Sequence, residues 1–71
     1  MRLRYYPETD SLYIDLADRP SADSLEVAPG VVLDFDAESA LVGIDIDRAS
    51  RVVDLTRLEV KALPVSKVSV T

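Results

Sequence analysis

The sequence predicts a mainly β fold, with α+β as the variant should its last third prove helical. The expected architecture is an antiparallel sheet of two β-hairpins plus a short strand, followed by one or two short helical turns after residue 47. Three observations predict it. Apolar and polar residues alternate with period two from the first residue to about residue 47, the pattern of half-buried strands. Turn formers interrupt that alternation at 7–10, 17–24 and 29–30. Folded back on those breaks, two hairpins each gather an apolar set on one face and a polar set on the other.

The first hairpin closes around Pro7-Glu8-Thr9-Asp10, between Tyr6 and Ser11. That register opposes Tyr5 to Leu12, Leu3 to Ile14 and Met1 to Leu16. The other face then opposes Arg2 to Asp15 as an ion pair and Arg4 to Tyr13 as a cation–aromatic pair. Residues 17–24 form a polar loop, and a short strand runs from Leu25 to Ala28. Pro29-Gly30 suits a type I or II turn better than the primed turns of tight hairpins, so a bend is expected there. The second hairpin runs from Val31 to Asp47 with its loop at 37–40, opposing Phe35 to Val42, Leu33 to Ile44 and Val31 to Ile46. Its other face carries Asp34, Asp36, Asp45 and Asp47, with Gly43 facing Asp34. A one-residue slip would bury the aspartates, so this register is strongly specified.

Residues 48–53 lack alternation and read as helical turns. Asp54 is placed to cap a second short helix carrying Leu55, Leu58 and Ala62, although Leu58, Val60 and Ala62 fit a strand equally well. Pro64 ends either element. Val65 to Thr71 alternates weakly, as an edge strand or an ordered tail would.

Seventy-one residues make one domain, with a hairpin core at 1–50 and a carboxyl-terminal segment at 51–71. A domain of this size buries only about 60% of the surface its unfolded chain exposes. With no cysteine it has no disulfide, yet 48% of its residues are apolar. A homo-oligomer, a dimer or larger, is therefore expected. Charges break up the first residues, so no secretory pattern appears, and no apolar run spans a membrane. The cytoplasm is the expected location.

The residues that carry common chemistries are missing. Without histidine there is no ordinary neutral-pH general base, and without cysteine no thiol catalysis or soft-metal site. Two isolated glycines, Gly30 and Gly43, make no phosphate loop. The expectation is a chain that is not an enzyme and holds no cofactor.

One constellation remains, the face carrying Asp34, Asp36, Asp45 and Asp47. It reads as a solvated sheet face, as a site for a hard divalent cation or small ligand, or as the docking face for a basic partner. Charge distribution bears on the choice. Residues 1–47 hold three basic against eleven acidic residues, a net of −8; residues 48–71 hold five against two, a net of +3. Either the basic end complements the acidic sheet, in the same chain or an oligomer mate, or a separate basic protein does. Nucleic acid is disfavoured as a partner by the overall charge of −5.

The stretches Arg4-Tyr5-Tyr6-Pro7-Glu8-Thr9-Asp10-Ser11-Leu12-Tyr13-Ile14, Ala28-Pro29-Gly30-Val31-Val32-Leu33-Asp34-Phe35-Asp36, Leu41-Val42-Gly43-Ile44-Asp45-Ile46 and Ala49-Ser50 together resemble the family catalogued as domain of unknown function 2283, the YuzE-like small proteins. The resemblance covers residues 1 to about 50. From Val52 onward the sequence departs from the family's pattern, which more often ends in a Leu/Glu-rich short helix. The resemblance carries no catalytic residues. What it implies is an antitoxin-like partner of a small basic ribonuclease toxin, a protein-interaction module; the alternatives are cation or small-ligand binding on the aspartate face and a structural subunit of a larger assembly.

Overall fold

The computed structural model describes residues 1–71. Strands β1 (Arg2–Tyr6), β2 (Ser11–Asp15), β3 (Asp23–Ala28), β4 (Val31–Phe35) and β5 (Leu41–Ile46) form a single sheet in the order β1-β2-β5-β4-β3. Every pairing is antiparallel. A four-residue helix, α1 (Ala49–Val52), follows, and residues 53–71 form no further helix or strand. No helix is long and apolar enough to cross a membrane.

The first hairpin has the register its two-faced pattern dictates, with Tyr5 opposite Leu12, Leu3 opposite Ile14 and Arg4 opposite Tyr13. Arg2 also stands opposite Asp15, but their charges do not pair; the chain's ion pairs are Arg19–Asp36 and Arg57–Glu59. An exposed edge strand explains this, because two solvated side chains gain little from being held together.

After β2 the chain crosses to the far edge of the sheet and returns through β3, β4 and β5, so that β5 lies beside β2. Strands β2 to β5 thus take Greek-key order. The crossover is tied down along its length. Leu16 and Ala17 donate their amides to the Val42 carbonyl, Ala22 donates to that of Phe35, and Arg19 pairs with Asp36 at 2.9 Å.

That crossover corrects one expected pair. Val31 faces Ile46 and Leu33 faces Ile44, but Phe35 stands opposite Leu41 rather than Val42. Val42 is the extra residue of a β-bulge: its carbonyl serves the crossover amides, and its side chain is buried. Pro29-Gly30 is a second correction. It is a tight two-residue hairpin turn rather than a bend, since Ala28 pairs directly with Val31. Gly30 takes a φ of 76°, as the third position of a type II turn requires. The register shift between Glu26 and Ala28 accommodates the splay that such a turn imposes on its strands.

The carboxyl-terminal expectations fare differently. Helical structure after residue 47 is present as the single turn of α1. Asp54 caps no helix, because its carboxylate instead accepts bonds from the amide and hydroxyl of Thr56. Residues 65–71 form no strand.

The core lies where α1 meets the sheet. Ala49, fully buried, packs on Leu12 and Ile46, with Ile14, Ile44 and Val53 around them. A helix this short does not persist by itself, and Arg48 before it offers no side-chain cap. The first hairpin's loop supplies one. Asp10 accepts the Ala49 amide on its backbone carbonyl, and its carboxylate accepts the amide and hydroxyl of Ser50 and the hydroxyl of Tyr5. The Ser50 hydroxyl, followed by that of Tyr5, holds the Asp10 carboxyl below its ordinary pKa. A depressed carboxyl stabilises the fold above its unfolded pKa, and the contribution disappears as pH falls through the folded one. Asp10→Ala is therefore expected to release α1. Hydrogen exchange would read this as faster exchange at the Ala49 and Ser50 amides, with the difference from wild type vanishing in acid.

Candidate functional site

The sheet face opposite α1 is polar, and its composition follows from register alone. One row crosses all five strands as Arg4, Tyr13, Asp45, Val32 and Glu26. The adjacent row reads Arg2, Asp15, Gly43, Asp34 and Ser24. Basic residues therefore stand on the β1 edge, and carboxylates occupy the strands from β2 to β3.

At the centre of this face, Tyr13 reaches from β2 across β5 to β4. Its hydroxyl donates to the Asp34 carboxylate at 2.9 Å, and the Ser24 hydroxyl donates to the other Asp34 oxygen at 2.7 Å. Only glycine at position 43 permits the crossing, because a Cβ there would lie 2.0 Å from the Tyr13 hydroxyl. Burial and the Asp34 carboxylate both push the Tyr13 phenol above its ordinary pKa, so it remains a proton donor. Tyr13 leans away from β1, so the aromatic contact expected with Arg4 gives way to a bond with Asp34.

The four aspartates singled out from sequence separate into different situations. Asp34 is held by Tyr13 and Ser24. Asp36 faces the β4–β5 turn, accepting the Glu38 and Ala40 amides and pairing with Arg19. Those amides and the guanidinium hold the Asp36 carboxyl below its ordinary pKa, the Ala40 amide contributing most. Asp47 is exposed beyond the end of β5, with the Ser11 hydroxyl 3.5 Å away. Asp45 differs from all three. Partial burial, then the charges of Asp47 and Asp34, raise its pKa, and neither ion pair of the chain includes it. No three acidic side chains converge closely enough to hold a metal ion.

Asp15 and Glu26 join this face as well, and sequence reasoning did not group them with the others. Each is on the polar face of its own strand. What brings them together is the pairing of β2 with β5 and of β3 with β4, which no local pattern announces.

Asp45 gives the face a measurable signature. A carboxyl whose folded pKa is raised destabilises the fold above that pKa, and the penalty disappears as pH falls below the unfolded value. Asp45→Asn is expected to raise the thermal midpoint at neutral pH and to leave it unchanged in acid, as followed by circular dichroism.

The sheet thus defines a small antiparallel β protein of Greek-key order, with one acidic face and one apolar face. The chain belongs to the family described as protein of unknown function DUF2283, whose model matches residues 2–50. The match takes in all five strands and ends within α1, leaving residues 51–71 outside it. No curated protein and no solved structure matches the chain.

Proposed function

We propose that this chain is a non-enzymatic protein-interaction module of the cytoplasm, an antitoxin-like partner that receives a small basic protein on the acidic face of its sheet. The observation that supports it most is the uncompensated charge of that face. Asp15, Asp34, Asp45 and Glu26 stand on four neighbouring strands, and no cation of the chain pairs with any of them. The basic carboxyl-terminal segment leaves these charges open, for its one ion pair, Arg57–Glu59, lies within the segment. Like charges held side by side cost free energy in the isolated chain, and an opposing basic surface relieves that cost on binding.

The face offers mainly carboxylates, with the phenols of Tyr13 and Tyr6, which suits contact better than bond-making. Histidine and cysteine are absent from the whole chain, and the two tyrosines with raised pKa are fixed as donors, Tyr13 to Asp34 and Tyr5 to Asp10.

The test is co-expression with a small basic protein encoded beside this gene in its host. The expected result is a complex that purifies intact at low salt, dissociates at high salt, and relieves any growth inhibition the basic protein causes alone. Absence of both binding and relief would reject the reading.

A further inference from the structure

The other face of the sheet has its own cross-strand row. Leu25, Leu33, Ile44, Ile14 and Leu3 stand directly opposite one another across all five strands. A continuous aliphatic row through the middle of a sheet is where a domain's core normally lies. Here none of the five is buried: Leu25 is 57% exposed, Leu3 is 48% exposed, and the three between are only half-buried. Helix α1 covers the neighbouring row at Leu12 and Ile46 and stops there. At the β1 edge, Leu58, Val60 and Leu63 of the carboxyl-terminal segment border an open depression with Met1, Leu3 and Ile14, extending the same apolar surface.

The dimensions say how much is uncovered. A compact monomer of 7.8 kDa exposes about 4,400 Å². This chain exposes 5819 Å², roughly 1,400 Å² more than that scaling gives. Its radius of gyration is 13.0 Å, where a compact 71-residue chain has about 11 Å. The excess, to which the exposed carboxyl-terminal residues 54–71 also contribute, is larger than the ~800 Å² that each partner contributes to an interface of standard size.

We propose that the row Leu25–Leu33–Ile44–Ile14–Leu3 is the interface at which a second copy of this chain docks, sheet face to sheet face. The row is aliphatic from end to end, so it meets a copy of itself in either direction, as a two-fold interface requires. Two such sheets pack about 10 Å apart with their side chains interdigitated. The dimer uses the face opposite the acidic one, so it stands or falls apart from the proposed function.

The experiment is sedimentation of the full chain over a wide concentration range, with Leu25→Asp and Leu25→Thr beside wild type. Wild type is expected at twice the chain mass. Leu25→Asp should remain folded by circular dichroism, since its site is solvated in the monomer, and should raise the dimer dissociation constant at least about 100-fold. Leu25→Thr, which keeps a strand-forming residue, should move it in the same direction by less. On the wild type itself, methyl resonances of Leu3, Leu25 and Ile14 should shift on dilution while those of Val32, on the acidic face, hold still. A monomer at all concentrations, an assembly that both variants leave intact, or dilution shifts confined to Val32 would overturn the proposal.

Discussion

Gly43→Ala is expected to destabilise the domain by about 2 kcal/mol, a large effect for one methyl group. An alanine Cβ would sit 2.0 Å from the Tyr13 hydroxyl and 2.6 Å from the ring carbon that bears it. The ring must swing aside, which breaks the bond to Asp34 and uncovers Gly43, now buried beneath it. The penalty comes from Tyr13 rather than from the strand, because alanine at an extended position is ordinarily better than glycine by about 0.5–1 kcal/mol. The double-mutant cycle separates the two. In a Tyr13→Ala background, Gly43→Ala should become neutral or stabilising in urea denaturation. An equal penalty in both backgrounds would mean that the glycine serves the backbone and not the tyrosine.

Ile46→Ala is expected to cost about 3 kcal/mol, since it opens a cavity between Leu12 and Ala49 that a lone helical turn closes poorly. A small domain has about 5 kcal/mol in total at the low end of the usual range, so the variant should keep only about 2 kcal/mol and melt at a clearly lower temperature than wild type. Leu25→Ala provides the contrast. Its side chain is 57% exposed, so measured at concentrations too low for association it should cost far less. If the two cost the same under those conditions, the core lies elsewhere than where Ala49 places it.

Much of the sheet was legible because each strand has one face that needs cover. A one-residue slip would part Leu3 and Tyr5 from Leu12 and Ile14, and the register observed keeps them on one face. The acidic grouping of Asp34 and Asp45 was legible for the same reason. What escaped was non-local. The bulge at Val42 exists because amides of Leu16 and Ala17, some 25 residues earlier in the chain, claim its carbonyl. Asp10 looked like an ordinary turn residue until α1 came to rest on it. The hairpin pattern places Tyr13 beside Arg4, whereas the strand that joins it on the other side carries the glycine it crosses. That glycine was the available signal: a lone glycine inside a strand marks a close approach. Beyond residue 53 no face demands cover within the chain, and there the alternation of strand and helix signals decided nothing.

The proposed function rests on contact through the acidic face, and affinity capture from the native host tests it most directly. Wild type is compared as bait with the Asp45→Asn/Asp47→Asn double variant, at low and at high salt. Asp47 is exposed, and Asp45→Asn is expected to stabilise the fold, so lost binding would not be lost structure. The expected result is a small basic protein held by wild type at low salt, released at high salt and missed by the variant. The same proteins retained by both baits, regardless of salt, would contradict it.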